Sequence, residues 1–227
     1  LRLHRVEAVR HERGRVVALE VGTPDGRLAV DVERVISTMP LSDLVLRMRP
    51  EPPPEVVDAA LGLTYRSIVT VNLVVERPEV VPDTWVYIHA PEVAAGRLQL
   101  YKNWSPAMVP DPRWSSVGLE YFATEGDPLW SSSDASMLEL GKKELVGLKL
   151  VRREEIADGF VARYAKAYPV YADRYADRVA VVRGYLARLG NLECAGRYGQ
   201  FRYNNMDHSI MTGMLAVRRL AGERCDP

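Results

Sequence analysis

An excess of charge of either sign is missing from this sequence, because thirty Lys and Arg offset thirty Asp and Glu. Nothing global therefore favours nucleic acid or an acidic membrane as a partner. Cysteine is scarce: Cys194 and Cys225 are the only two, and they lie far from any C-x-x-C spacing. That excludes a disulfide framework or a cysteine zinc site, and makes a reducing, cytoplasmic setting the expectation. The four histidines, His4, His11, His89 and His208, are dispersed and form no metal motif. No apolar run approaches the roughly 18 residues of a spanning helix. The stretch Leu1–Arg15 is charged throughout and does not read as a signal peptide. Internal repeats and low-complexity linkers are also lacking.

What remains is ordinary globular material: 227 residues, 47% hydrophobic and 26% charged, enough for one large domain or two small ones. Alternation predicts a strand over Leu1–Arg10. Two more strands, Arg15–Val21 and Arg27–Val32, flank the hairpin turn Thr23-Pro24-Asp25-Gly26. Val35-Ile36-Ser37-Thr38 reads as a short buried strand of a larger sheet, ending in hydroxyl residues and stopped by Pro40. Short helices are expected over Asp43–Met48 and Glu55–Leu61. The clearest strand is Tyr65–Glu76, in which Val69, Val71, Leu73 and Val75 alternate with polar residues. Trp85–His89, Arg97–Trp104 and Val117–Ala123 read as further strands, rich in aromatics that could wall a pocket. Helices follow from the Ser131–Asp134 cap to about Leu150 and over Tyr175–Leu189, with a strand over Ile156–Tyr164 between them.

The most informative stretch is Cys194–Gly222. A turn with Gly196 and Gly199 leads through Asn204-Asn205-Met206-Asp207 into a helix over about His208–Ala221, with Asp207 as its expected N-cap. A helix N-terminus after such a turn suits a ligand carrying negative charge or carbonyl oxygens, although ordinary turns of this kind are common.

Two segments carry a resemblance: V-I-S-T-M-P-L over Val35–Leu41, and G-R-Y-G-Q-F-R-Y-N-N-M-D-H-S-I over Gly196–Ile210. Together they resemble the FAD-binding amine-oxidase superfamily, which includes protoporphyrinogen oxidase-like and UDP-galactopyranose mutase-like flavoproteins. The resemblance implies an α/β (α+β) fold: a partial FAD-binding, Rossmann-like domain with an inserted substrate domain of antiparallel strands and helices. The expected division is 1–39 and 190–227 for the FAD part and 40–189 for the insertion. The resemblance also implies cofactor-binding positions. Val6 would meet the adenine through its backbone. Ser37 and Thr38 would lie where a sheet strand passes the cofactor. Gly196 and Arg197 would approach the pyrophosphate, and Met206, Asp207 and Ser209 would offer backbone N–H groups to the flavin. The family's N-terminal G-x-G-x-x-G fingerprint is absent from these residues. The chain is therefore expected to be the C-terminal portion of a longer protein, and not to bind FAD tightly alone.

Three functions stay open on the residues. The first is an FAD-dependent oxidoreductase of the amine-oxidase or protoporphyrinogen-oxidase type, acting on a small-molecule substrate held by Tyr101 and Lys102 or by Tyr171 and Tyr203. The second is a mutase-like sugar-nucleotide isomerase using reduced FAD, for which Arg197, Arg202, Tyr203, Tyr168 and Tyr171 could meet a diphosphate. The third is a cofactor-free interaction module whose exposed sheet edge pairs with a second copy. No general base stands out.

Overall fold

The structure, a computed structural model, describes residues 3–223 and 225. In chain order the elements are β1 (Arg5–Glu12), β2 (Arg15–Thr23), β3 (Gly26–Asp31), β4 (Val35–Ser37), α1 (Leu41–Leu46), β5 (Met48–Arg49), α2 (Pro54–Leu61), β6 (Tyr65–Val75), β7 (Trp85–Tyr87) and β8 (Arg97–Leu100). Then come α3 (Tyr101–Trp104), β9 (Ser115–Ala123), α4 (Pro128–Ser131), α5 (Asp134–Gly147), β10 (Ile156–Pro169), α6 (Tyr175–Leu186), β11 (Leu192–Cys194), α7 (Gly196–Gly199) and α8 (Met206–Leu220).

The chain divides into two compact units, Leu1–Tyr65 with Tyr168–Pro227, and Arg66–Ala167. These bounds lie well inside the expected 39/40 and 189/190. The reason is packing: Leu41, Leu44 and Val45 of α1, Val56 and Ala60 of α2, and Val182 and Leu186 of α6 share one core with Val9 and Val16. Each such fully buried aliphatic side chain contributes about 1.5–3 kcal/mol, so these helices stay with the sheet they cover.

In the two-ended unit, β1–β3 form the expected antiparallel meander, and β5 adds to β1 in parallel. The first expected strand starts at Arg5; its Leu1 end lies outside the described residues. A separate parallel pair joins β4 to β11, with Val35 opposite Leu192 and Ser37 opposite Cys194. Asn191 fastens this pair to the meander. Its buried side chain accepts from the Val16 N–H at 2.8 Å and donates to the Val16 and Glu33 carbonyls, both at 2.8 Å.

The middle unit is a five-stranded sheet ordered β10-β6-β9-β8-β7. The β6/β9, β9/β8 and β8/β7 pairs are antiparallel. Odd positions of β6, from Val69 to Val75, pack in one core with Met137 and Leu145 of α5. Gly141 lets α5 sit close, since a Cβ there would lie 2.7 Å from a Val71 methyl. Ser133 caps α5 as expected, accepting from the Ser136 N–H. The strand expected over Arg97–Trp104 is half right: it ends at Leu100, and Tyr101–Trp104 turn into a short helix. Lys102 and Asn103 hold that turn by donating to loop carbonyls, a local bonding pattern that overrides the strand propensity of the aromatics.

Candidate functional site

In the two-ended unit, β4 and β11 deliver the two quoted segments side by side. The Ala195 N–H donates to the Ser37 carbonyl at 3.0 Å. Gly199 presses on the same carbonyl: a Cβ at this position would lie 2.7 Å from it, so only glycine fits. Gly196 has φ +76, in the left-handed region that glycine tolerates, and open space where a side chain would project. Its N–H donates to Thr212 Oγ1 at 2.9 Å, and Thr212 in turn donates to the Ser209 carbonyl. The turn is therefore tied to α8, and what Gly196 presents outward is space rather than a free N–H.

Arg197 donates from Nε to the Asn204 carbonyl at 2.9 Å. Its guanidinium lies 4.9 Å from the Tyr168 ring centre and 4.8 Å from that of Tyr203, two rings that stack at 5.5 Å. The backbone N–H of Tyr203 donates to the Tyr171 oxygen at 2.8 Å, and Tyr171 stacks on Tyr175. Arg197, Tyr168, Tyr171 and Tyr203, grouped from the sequence as candidates to meet a diphosphate, thus share one cluster. Beside it a cleft of about 520 Å³ is lined by Tyr171, Tyr175, Arg183, Arg202, Tyr203 and Asn204, among others.

Helix α8 starts one residue before the expected N-cap. Asn205 takes that position and makes no side-chain cap bond, while Asp207 sits inside the first turn, paired with His208 at 3.1 Å. An uncapped first turn leaves N–H groups of Met206, Asp207 and His208 facing outward; Met206 is 80% exposed. Ser209 is half-buried. Two buried polar atoms of the two quoted segments lack a partner among the described residues, Ser37 Oγ and Asn204 Nδ2. Thr38 is exposed. Val6 lies on β1, apart from these segments in the chain, with its carbonyl already accepting from Arg47 Nε at 3.1 Å. Burial, with the nearby Glu193 charge, pushes the Cys194 thiol up to about 12, which makes it an inert packing residue.

The middle unit carries a second polar constellation on the sheet face opposite α5. The Tyr101 hydroxyl donates to Asn72 Oδ1 at 2.7 Å, and Asn72 Nδ2 donates to Thr70 Oγ1 at 3.1 Å. Burial, then the charges of Glu120 and Tyr164, push the Tyr101 hydroxyl up to about 12. Arg97 and Glu120 form a buried ion pair, with Nε to Oε2 at 2.6 Å, and Gln99 donates to the other Glu120 oxygen at 3.0 Å. The rings of Trp85, Tyr87 and Phe122 enclose the guanidinium at 5.2–5.7 Å. Lys102 is spent elsewhere: its ammonium donates to the carbonyls of Pro78, Pro112 and Trp114, which uses all three of its protons. It secures the Pro112–Trp114 loop and presents no free donor to a substrate. Sequence reasoning passed over Asn72, Arg97 and Glu120. The one signal available was a run of polar residues at the even positions of an otherwise apolar strand, on the face that could equally have met water.

Residues 1–206 match the profile of the flavin containing amine oxidoreductases, and the chain belongs to that family. Among solved structures, a reduced UDP-galactopyranose mutase superposes with a TM-score of 0.79 at 20% identity, over 98% of this chain and 47% of that one. A provisionally assigned protoporphyrinogen oxidase from Exiguobacterium sp. 255-15 gives 0.63 at 18% identity, over 95% of this chain and 47% of that one. The chain thus spans about half the length of these two structures. No curated protein matches it significantly. Among the described residues, no helix is long and apolar enough to cross a membrane, and no group of His, Cys, Asp and Glu could hold a metal.

Proposed function

We propose that these residues contribute the flavin end and the substrate sheet of an FAD-dependent oxidoreductase of the amine-oxidase or protoporphyrinogen-oxidase type. FAD is the cofactor the family implies, and the residues present fit it. The observation that carries the reading is the uncapped first turn of α8, beside a glycine turn with open space at Gly196 and two unpartnered buried polar atoms, Ser37 Oγ and Asn204 Nδ2. Ser37 and Thr38 would lie alongside the cofactor, with Gly196 leaving room for the pyrophosphate and Arg197 close to it. The N–H groups of Met206 and Asp207 would meet the flavin's carbonyl edge, where the α8 dipole favours negative charge, with Ser209 behind them. Val6 would serve the adenine through its backbone N–H, since its carbonyl is engaged. Bound there, FAD supplies the hydride acceptor; the side chains orient it and exclude water.

The test is equilibrium dialysis of the chain against FAD, read by flavin absorbance. Weak but saturable uptake is expected. Met206→Pro should lower it, because proline at the first helical position removes one N–H while leaving the helix intact. A folded chain that takes up no FAD at any soluble concentration would count against the reading and favour a cofactor-free module.

A mutase-like activity is the second reading. It is favoured by Arg197 lying against Tyr168 and Tyr203, a cationic and phenolic cluster suited to a diphosphate, with Arg183 and Arg202 in the adjoining cleft. Turnover of UDP-galactopyranose by the full-length flavoprotein under reducing conditions separates it from hydrogen peroxide production on amines or porphyrinogens. Self-association is also proposed, through the open edge of β3, which is exposed along all six residues. A single monomeric species at every concentration in analytical ultracentrifugation would remove that proposal.

A further inference from the structure

A cleft of about 430 Å³ opens on the middle unit, on the sheet face opposite α5, and no lysine, arginine, histidine, aspartate or glutamate lines it. Its walls are Met108, Pro110, Trp114, Phe160 and Tyr164; its polar floor is Thr70, Asn72 and Tyr101, with Ser116 alongside. Clefts of roughly 300–1,000 Å³ hold compact organic ligands. Polar capacity is concentrated at the floor. Asn72 uses one amide proton on Thr70 and its oxygen on Tyr101, which leaves a second amide proton unspent. The Ser116 hydroxyl is shielded from solvent and has no partner among the described residues. Because that hydroxyl is closed off even from water, the donor the floor offers to a ligand is the Asn72 amide proton. Lys102, next to Tyr101 in the chain, is held by three carbonyls, two of which belong to the Pro112–Trp114 loop that ends in the cleft wall at Trp114.

We propose that this cleft binds an uncharged, mainly apolar, ring-sized molecule with one hydrogen-bonding oxygen, which is seated on Asn72. Three observations select that class. A charged ligand would leave water with no counter-charge waiting for it, a large desolvation cost. A purely hydrocarbon ligand would leave the Asn72 proton unpaired. A nucleoside diphosphate would need cationic donors, and the lining has none. The proposal rests on the oxidoreductase reading above only in calling the ligand a substrate, and within that reading it selects an uncharged substrate over a protonated amine; binding itself needs no flavin.

Equilibrium dialysis of the chain, without FAD, against naphthol, naphthalene, naphthalenesulfonate and naphthylmethylamine tests it. These four probes share a ring system and differ in charge and hydrogen bonding. Naphthol should bind roughly threefold to tenfold tighter than naphthalene, the value of one hydrogen bond, and at least about tenfold tighter than either ion. Asn72→Leu should abolish the preference for naphthol over naphthalene. Since Asn72 is buried, a second variant guards against misfolding: Phe160 is 62% exposed, so Phe160→Asp should fold normally by circular dichroism yet weaken naphthol binding about tenfold or more. Equal or tighter binding of the sulfonate or the amine would overturn the proposal. So would a folded chain that ignores naphthol, or a Phe160→Asp variant that binds it unchanged. Naphthol binding without FAD uptake would sustain this proposal and sink the flavin reading; FAD uptake without naphthol binding would do the reverse.

Discussion

The Arg97–Glu120 pair makes the sharpest energetic prediction. Both side chains are nearly out of water, at 6% and 10% exposure. The carboxylate receives Arg97 and Gln99, and the guanidinium is enclosed by Trp85, Tyr87 and Phe122. Arg97→Met keeps most of the volume but strands a buried carboxylate on β9 with Gln99 as its remaining donor. Removing one partner of a buried pair costs about 3–5 kcal/mol, a large part of the roughly 5–15 kcal/mol that holds a typical domain together. For a chain of this size that corresponds to a fall in Tm of roughly 6–20 °C. The double variant Arg97→Met, Glu120→Leu removes both charges together, so it should recover most of the loss; replacing a whole buried pair by apolar groups is often neutral or better. Urea unfolding followed by tryptophan fluorescence is a suitable assay, since Trp85 lies against the pair and Trp104 donates to Gln99. The reasoning is refuted if Arg97→Met costs less than about 1 kcal/mol, as exposed pairs do, or if the double variant is no more stable than the single one.

Other expectations follow from single contacts. Lys102→Met should destabilise the middle unit by about 1–3 kcal/mol through three lost charge-assisted bonds; an unchanged unfolding midpoint would contradict that role. Gly199→Ala should cost about 1–3 kcal/mol, because the new methyl meets the Ser37 carbonyl, and an unchanged unfolding midpoint would contradict the close approach. The Tyr101 hydroxyl titrates higher folded than unfolded. Its stabilising contribution is therefore complete below the ordinary phenol range and is lost as pH rises from about 10 towards about 12. Phenolate absorbance should show a late-titrating tyrosine that is missing from Tyr101→Phe. Cys194, half-buried and with its thiol pushed up to about 12, should react slowly with iodoacetamide at neutral pH in the folded chain and faster once urea is added.

How much of this was legible beforehand varies with the range of the interaction. The meander was readable because Thr23-Pro24-Asp25-Gly26 fixes a turn locally, and β6 because Val69 to Val75 alternate. The start of α8 was misread by a residue or two: Asp207 and Asn205 are both good caps in isolation, and only the path of the chain out of the glycine turn chose between them. The unit boundaries were misplaced for a related reason. Pro50–Pro54 reads as a connector, yet α2 beyond it packs on α1 and buries Val56 and Ala60 beside Val9.

The sequence by itself determined the local elements, the glycines that turn them and the two motifs that place the chain among flavin containing amine oxidoreductases, because each depends on residues within a few positions of one another. Tertiary structure alone decided which polar groups became a site. Asn72 meets Tyr101 across 29 residues, Arg97 meets Glu120 across 23, and Asn191 meets Val16 across 175. It also tied Lys102 to the carbonyls of Pro78, Pro112 and Trp114. A side chain's role depends on whether it is left facing solvent, carbonyls or an opposite charge, and that is fixed only when distant strands pair.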